Sequence, residues 1–375
     1  MPMWNKNSMV NKPVACIRAD AAVNIGTGHI MRCLTLANTL HDYGFEVFFI
    51  CREVSGNLYD LIEENGFAVC RLPFIIDLAP DASCEECISS MGKIWSRDEA
   101  ETENILVKYG RQVDWLIIDH YAFDERWESK VRPYVKKIMV IDDLANRQHN
   151  CDLLLDQNLY ANESPRYQQL VPAHTKKMVG PRYSLLRAEF AIARETLRRR
   201  EGSIRRILIF FGGSDPTNET AKALEAVKLL NNPGIVVDVI VGASNPFKEQ
   251  ISSICEQMLN CRYHCQINYM ADLMAQADLA IGAGGSTTWE RCCLGLPALV
   301  AILAANQYEA TSAVAEYGAV INMGWAHKIT SEAYVHVLNA IDNIRLLDMQ
   351  EKALQLVDGK GRYRVADEML SCMTR

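Results

Sequence analysis

The chain has 375 residues, of which 49% are hydrophobic and 23% are charged, an ordinary composition for a globular protein of about two domains. These values exclude a disordered chain, a collagen-like chain and a small disulfide scaffold. With 39 basic and 46 acidic residues the formal charge is -7, which gives no general attraction for nucleic acid or for an anionic membrane. We therefore expect no nucleic-acid partner.

Apolar strands alternate with helical segments through the first half of the chain. Strands are predicted at 14–19, 45–51, 67–72, 115–121 and 137–143, and short ones at 153–156 and 177–180. Helices are predicted at 29–43, 57–65, 97–110 and 125–135. Residues 76–93 are expected to be irregular, and 187–202, which ends in a basic run, is expected to connect two halves.

The second half repeats the alternation. Its strands are predicted within 206–215, 235–242, 261–268 and 278–295, and at 297–303. Its helices are predicted at 246–258, 270–277, 306–317, 331–343 and 361–373. This order predicts an α/β fold with two doubly wound, Rossmann-like domains, 13–190 and 203–375. Ligands on such sheets bind at the carboxyl ends of the strands, so we expect a site in a cleft that the domains face.

Thirteen cysteines are scattered along the chain, and two pairs are closely spaced, Cys84 with Cys87 and Cys261 with Cys265. A zinc site built from such pairs needs both to work together, but here they lie far apart in sequence. We therefore expect reduced thiols and no metal ion.

The N-terminal stretch is polar and has no apolar signal core. The longest apolar run, 296–305, is about ten residues long, whereas a membrane-spanning helix needs about 20. We expect a cytoplasmic protein without membrane insertion.

Three glycine-containing turns stand between a predicted strand and a helix. They are N-I-G-T-G-H at 24–29, F-G-G-S-D at 211–215 and G-A-G-G-S-T-T at 282–288. Glycine allows close approach of the backbone to an anion, and helix N-terminal amides favour negative charge. None is a Walker A loop or a complete dinucleotide fingerprint. A single turn of this kind is often only a tight connection, but three together indicate a phosphate-containing ligand.

Two side chains near these turns suggest chemistry. His29 closes the first turn, where a neutral imidazole can act as a general base; the alternative is a structural histidine. Glu290 follows the third turn, where its carboxylate can accept hydrogen bonds from the two hydroxyls of a ribose; the alternative is a solvated helix residue. His120 is a second histidine expected near the cleft, so the motif alone does not decide which histidine is the base.

Six segments resemble the UDP-sugar hydrolases of pseudaminic acid biosynthesis, which act on UDP-2,4-diacetamido-2,4,6-trideoxy-β-L-altropyranose. They are RADAAVNIGTGHIMRCLTLA (18–37), IIDHYAFDERWE (117–128), VIDDLANRQHNCDLLLDQN (140–158), GPRYSLLRAEF (180–190), FFGGSDPTN (210–218) and AIGAGGSTTWERCCLGLPAL (280–299). Similar motifs occur in a spore-coat polysaccharide protein. The wider fold is similar to the GT-B glycosyltransferase that makes lipid II, which has a glycine-glycine-histidine loop near its N-terminus.

The resemblance implies roles for individual residues. His29 is implied as the general base, Glu290 as a uridine ligand, Asn306 with Gln307 as substrate ligands, and Arg187 as a contact of the diphosphate. The complete expected substrate site also includes Gly26, Thr27, Gly28, Arg32, Tyr121, Gly213, Ser214, Gly284, Gly285, Ser286 and Thr287. The segment 76–113 is longer and more polar than the family pattern.

The implied reaction is hydrolysis of the UDP-sugar. We expect it to need no metal ion and no cofactor, and we expect a monomer. Water activated by His29 attacks the anomeric carbon with inversion, as in inverting glycoside hydrolysis, and backbone amides hold the departing UDP. Two alternatives remain open: a GT-B glycosyltransferase that uses a UDP-sugar donor, and a non-catalytic nucleotide-sugar binding protein. A pure binder has no need of a base at position 29.

Overall fold

The structure is a computed structural model that describes residues 12–21, 28–74, 84–161 and 166–373. Contacts divide the chain into two compact units. The first contains the described residues of 1–158, 162–185 and 362–375, and the second contains 159–161 and 186–361. Each unit is built around one parallel sheet.

The sheet of the first unit has seven strands among the described residues, in the order β3-β2-β1-β4-β5-β6-β7. Their bounds are β1 (Val14–Ala19), β2 (Glu46–Arg52), β3 (Ala68–Leu72), β4 (Val113–Asp119), β5 (Val135–Ile141), β6 (Leu153–Asp156) and β7 (Lys176–Val179). The strand β4 shows why a continuous apolar run forms a central strand. Trp115 and Ile117 pack in one hydrophobic cluster, and Leu116 and Ile118 pack in another, so both faces are covered.

The sheet of the second unit has six strands in the described part of the chain, in the order β10-β9-β8-β11-β12-β13. Their bounds are β8 (Arg206–Phe210), β9 (Val236–Val241), β10 (Cys261–Cys265), β11 (Leu279–Ala283), β12 (Ala298–Ile302) and β13 (Ile321–Trp325). In both sheets the order reverses beside the first strand of the unit, between β1 and β4 and between β8 and β11. Such a switch point is where doubly wound folds bind ligands.

Helices cover the faces of both sheets. Their bounds are α1 (Gly28–Asp42), α2 (Tyr59–Glu64), α3 (Cys84–Tyr109), α4 (Glu125–Val131), α5 (Ala188–Glu195), α6 (Glu219–Leu230), α7 (Lys248–Glu256), α8 (Met270–Gln276), α9 (Thr287–Cys293), α10 (Tyr308–Tyr317), α11 (Ser331–Ala340), α12 (Asn343–Leu356) and α13 (Gly361–Met373). Short 3-10 turns add 132–134, 181–183, 305–307 and 326–328. Among the described helices, none has both the length and the mean hydropathy that a membrane span requires.

The observed units differ from the expected domains 13–190 and 203–375 at the C-terminus. The second unit ends at Gly361, and α13 belongs to the first unit. The reason is apolar burial, because Val365, Ala366 and Met369 are fully buried in the core of the first unit, together with residues of α1 and β1.

Two local expectations also need correction. Residues 84–93, expected to be irregular, form the start of α3, while 76–83 lie outside the described residues. The connecting segment contains a helix, α5, whose Phe190 is buried in the core of the second unit.

Candidate functional site

Four strands of the first sheet end at a buried aspartate, and each carboxylate is paired with an arginine. The pairs are Arg18–Asp20 at 2.6 Å, Arg32–Asp119 at 2.6 Å, Arg147–Asp142 at 2.8 Å and Arg166–Asp156 at 3.2 Å. Buried carboxylates carry a large desolvation cost unless a cation and hydrogen bonds compensate it. Against the effect of burial, the arginines hold the pKa values of Asp20, Asp119 and Asp142 below the usual range. At Asp156 burial prevails and raises the pKa to about 7 despite Arg166.

Asp119 also binds His29. The His29 Nδ1 atom lies 2.5 Å from Asp119 Oδ1, and Arg32 binds both carboxylate oxygens at 2.6 Å through Nε and Nη2. Burial opposes ionisation of Asp119, but the Arg32 guanidinium and His29 hold its pKa well below the usual range. A carboxylate at Nδ1 fixes the proton there and leaves Nε2 with a lone pair.

The surroundings of His29 fit a general base. The imidazole is 7% exposed, and its Nε2 atom has no hydrogen-bond partner within the described parts of the chain. The Tyr121 ring meets the imidazole edge-on, with centroids 4.7 Å apart and an interplanar angle of 83°. The ring is therefore oriented from two sides, by Asp119 and by Tyr121, as a base must be.

The second histidine has a different role. His120 Nε2 lies 3.3 Å from Asp20 Oδ2, and its Nδ1 accepts a hydrogen bond from the Ala122 amide at 3.1 Å. Its ring also stacks on Phe123, with centroids 4.0 Å apart. Burial lowers the pKa of His120. Since both ring nitrogens are occupied, His120 is a neutral structural residue, which separates it from His29.

Expected substrate residues of the first unit gather around His29. Gly28 begins α1, Arg32 lies one turn later and is held by Asp119, and Tyr121 follows β4. Gly26 and Thr27 lie outside the described residues. Arg32 was expected to bind substrate, but its buried guanidinium is engaged by Asp119 and lies 3.4 Å from Asp143.

In the second unit, the 284–287 turn follows β11 and leads into α9. A Cβ on Gly284 would lie 2.6 Å from Thr311 Oγ1, so only glycine fits there. Gly285 has a φ of +101°, which also favours glycine. The Gln307 side chain packs against this turn, and its Oε1 accepts a hydrogen bond from the Leu303 amide at 2.9 Å. Asn306 is exposed in the same 3-10 turn as Gln307.

Glu290 lies in the middle of α9, three residues after Thr287. Its Oε1 is 3.3 Å from Arg187 Nη2, and Arg187 also lies 3.2 Å from Glu189. Burial raises the pKa of Glu290, and Arg187 opposes that shift. Arg187, which was expected to contact a diphosphate, is thus an ion-pair partner of the carboxylate expected to bind ribose.

The second glycine turn does not leave the N-terminal amides of its helix free for an anion. Asp215 lies between Ser214 and α6, and its carboxylate accepts hydrogen bonds from the amides of Glu219 at 2.9 Å and Thr220 at 3.0 Å. These N-terminal amides of α6 are therefore capped by the chain itself. Gly213 and Ser214 can offer an anion their own amides and the Ser214 hydroxyl.

Among the described residues, no group of three or more His, Cys, Asp or Glu side chains is placed to hold a metal ion. The cysteines in this part of the chain are free thiols. The side chains of Cys84 and Cys87 are not among those described.

Sequence reasoning missed Asp119 and Arg291. Asp119 carried a positional signal, because it ends an apolar strand and the carboxyl ends of neighbouring parallel strands meet at one edge. Arg291 is an arginine within the apolar segment W-E-R-C-C-L, and it is 1% exposed.

Comparisons with known proteins agree with this architecture. Residues 207–362 match the glycosyltransferase family 28 C-terminal domain. Among solved structures, Arabidopsis thaliana UGT89C1 superposes with a TM-score of 0.65 at 14% identity, covering 97% of this chain and 100% of that one. Acinetobacter baumannii MurG gives 0.62 at 16% identity, covering 96% and 99%. The chain therefore has a two-domain, Rossmann-like GT-B fold, as predicted.

Three named proteins share sequence with the chain. It is 27% identical over 282 residues to the UDP-2,4-diacetamido-2,4,6-trideoxy-beta-L-altropyranose hydrolase of Campylobacter jejuni, covering 74% of this chain and 87% of that protein. It is 26% identical over 293 residues to the uncharacterized protein MJ1062 of Methanocaldococcus jannaschii, 76% of this chain but only 54% of that protein. It is 32% identical over 358 residues to the spore coat polysaccharide biosynthesis protein SpsG of Bacillus subtilis, 93% of this chain and 95% of that protein. On that match, the chain belongs to the family of SpsG.

Proposed function

We propose that this protein is an enzyme that hydrolyses a UDP-sugar to the free sugar and UDP. The observation that carries the proposal is the pair of His29 and Asp119, joined at 2.5 Å, with the second imidazole nitrogen left without a described partner. A protein that only binds nucleotide sugars has no need of a general base at the first glycine turn, where His29 stands.

The UDP moiety is assigned to the second unit. Backbone amides of residues 285–287 are suited to the diphosphate, because Gly285 and Ser286 are exposed and Gly285 has no side chain between its backbone and a ligand. The Gly284 amide is already used, since it donates to the Ala301 carbonyl at 3.0 Å. Glu290 is suited to a ribose, because its carboxylate can accept hydrogen bonds from two hydroxyls. The similarity to the glycosyltransferase family 28 C-terminal domain over 207–362 supports a nucleotide-sugar ligand for this part of the chain.

The proposed reaction breaks the anomeric C–O bond. His29 Nε2 takes a proton from water as the water oxygen bonds to the anomeric carbon, and the bonding electrons leave with UDP. Configuration inverts because water attacks opposite the diphosphate. Asp119 stabilises the imidazolium that forms. UDP is a good leaving group whose growing charge backbone amides can hold, so the proposal requires neither a general acid nor a metal ion.

The proposed sugar is 2,4-diacetamido-2,4,6-trideoxy-β-L-altrose, which would place the enzyme in pseudaminic acid biosynthesis. The support is the 27% identity to the Campylobacter hydrolase of that name, together with the G-T-G-H and G-G-S-T turns. We further propose a monomeric, cytoplasmic enzyme.

The test is UDP release from the UDP-sugar in ¹⁸O-water, with the wild type, His29→Gln and His120→Gln side by side. Glutamine at 29 can still donate to Asp119 but cannot take a proton from water. We expect label in the sugar, release in the presence of EDTA, and loss of turnover in His29→Gln only.

Other outcomes point elsewhere. Label in UDP means attack at phosphorus and overturns the mechanism. UDP release that requires an added sugar or lipid acceptor favours a glycosyltransferase, which the family 28 match makes the second candidate. Nucleotide-sugar binding without any release of UDP leaves a binding protein.

A further inference from the structure

Arg291 lies directly beneath the third glycine turn. Its Nη2 atom donates to the carbonyl of Ala283 at 2.8 Å and to Thr288 Oγ1 at 3.0 Å, so the guanidinium joins the residue before the turn to the first turn of α9. A Cβ on Gly282 would come within 2.9 Å of Nη1. The side chain is 1% exposed, so its charge is removed from water.

This buried charge has no carboxylate in contact within the described residues. Its Nε atom is buried without a hydrogen-bond partner there, and no ion pair within 4.0 Å includes Arg291. Arg18 and Arg32 are also buried, but each lies against two carboxylates. The difference also appears in the pKa values: burial lowers the pKa of Arg291 to about 10, whereas the pKa values of Arg18 and Arg32 are raised by their carboxylates against the effect of burial.

The adjacent Glu290 carboxylate opposes the effect of burial on the pKa of Arg291, but only in part. A buried cation whose charge is incompletely compensated is costly, and an anion bound nearby lowers that cost. The Ala283 carbonyl, which Arg291 holds, immediately precedes the turn, and Thr288 immediately follows it. An anion bound to the amides of 285–287 would therefore lie close to the guanidinium across one layer of backbone.

Resting on the proposed function, we infer that Arg291 supplies the positive charge that makes the 284–287 turn selective for the diphosphate. It is a positioning residue, because it acts through the turn whose carbonyl it holds and through its field, without touching the ligand. In the low-polarity interior that field is screened less than the field of a surface arginine. The inference predicts that the preference for UDP over uridine depends on the charge at 291.

Calorimetric titration with UDP and with uridine tests this. Arg291→Gln keeps an amide that can donate to Ala283 but removes the charge, and Arg291→Lys keeps the charge. We expect Arg291→Gln to weaken UDP binding roughly tenfold or more while changing uridine affinity less than about twofold, and Arg291→Lys to keep most of the UDP preference.

The matched control is Arg200→Gln. Arg200 is equally buried, at 3% exposure, and binds only backbone carbonyls, including those of Leu294 and Gly295 at the opposite end of α9. We expect Arg200→Gln to leave the ratio of UDP to uridine affinity unchanged, whatever its effect on stability.

Equal weakening of UDP and uridine by Arg291→Gln would show a packing role and overturn the inference, as would an unchanged ratio. If Arg291→Gln does not fold, Arg291→Lys decides alone: a retained UDP preference supports the charge, and a lost preference contradicts it. A wild type that releases UDP from its substrate but binds uridine as tightly as UDP refutes the inference and leaves the proposed function standing. A wild type that binds neither overturns both.

Discussion

Two of the histidine–carboxylate pairs of the first unit lie at the carboxyl ends of β1 and β4, with the histidine and the carboxylate in exchanged positions. In one, the histidine follows β1 and the carboxylate ends β4, as His29 and Asp119. In the other, the carboxylate follows β1 and the histidine follows β4, as Asp20 and His120. The strands are neighbours, with Ala19 opposite Asp119. Both imidazoles are 7% exposed, so burial does not distinguish them.

What distinguishes the two pairs is the second ring nitrogen. Nδ1 of His120 accepts the Ala122 amide, and its Nε2 meets Asp20, so a further proton has no place on the ring. His29 uses Nδ1 for Asp119 and keeps Nε2 for a ligand or water. Under the proposed function, similar residues at adjacent strand ends therefore serve as a base in one case and as a structural residue in the other.

The largest expected effect is the loss of turnover on removing the base. His29→Gln is expected to lower kcat by about 10²- to 10⁴-fold, the usual contribution of a general base, with UDP affinity within about twofold of the wild type. His120→Gln is expected to change kcat by less than about threefold, since its ring nitrogens serve structure. Steady-state kinetics on both variants checks this, and equal losses would contradict the distinction.

The next largest effect is expected from replacing the two aspartates that contact these histidines. Asp119→Asn is expected to lower kcat by about 10²-fold or more, because an amide no longer fixes the Nδ1 proton or stabilises the imidazolium. Asp20→Asn is instead expected to lower the free energy of unfolding by about 3–5 kcal/mol, because Arg18 and His120 lose a buried charged partner. Kinetics with active-site titration and urea unfolding separate the two effects. Comparable kcat losses in both variants would be evidence against the assignment.

A smaller effect is expected from the aromatic neighbours. Tyr121→Leu removes the edge contact to His29, worth about 0.5–1.5 kcal/mol, and should lower kcat by roughly 2- to 10-fold. Phe123→Leu removes the stack on His120 and should lower the unfolding free energy with little change in kcat per folded molecule. The prediction fails if Phe123→Leu lowers kcat more than Tyr121→Leu does.

The smallest effect is on pH-dependent stability. Burial lowers the pKa of His120 in the folded state although Asp20 acts in the opposite direction, while an unfolded histidine has a pKa of about 6.5. Below that pH the unfolded chain binds a proton that the folded chain does not. The contribution of His120 to the free energy of unfolding is therefore complete above about pH 6.5 and is lost as the pH falls. The free energy of unfolding changes by at most about 1.4 kcal/mol per pH unit through this group. Urea unfolding between pH 5 and 8 should show a shallower slope for His120→Gln, and an identical slope would refute the assignment.

The sequence was sufficient for elements whose apolar pattern is simple. The predicted bounds of β1 (14–19) and β6 (153–156) are confirmed, because each strand is a continuous run of buried residues. α12 and α5 were missed because apolar residues also lie on their exposed sides, such as Ile344 at 79% and Ile192 at 64% exposure, which blurs the helical period. Residues 84–93 were expected to be irregular although glutamate, methionine and lysine there favour a helix.

The sequence named candidate site residues, but it did not predict their contacts. His29 was selected from its turn, but its partner Asp119 depends on the order of strands in the sheet and on the register between β1 and β4. The pairing of Arg187 with Glu290 joins residues 103 positions apart. No local pattern contains such pairs, and the charge balance around Arg291 requires the complete packed unit.

The most direct test of the central claim is a double-mutant cycle on kcat with His29→Gln, Asp119→Asn and the combined variant. If the two residues form one base, Asp119 has nothing to orient once His29 is gone. We therefore predict that the double variant turns over no more slowly than His29→Gln, within about twofold. Losses that multiply in the double variant would show that the two residues act independently, which would contradict a His29–Asp119 base.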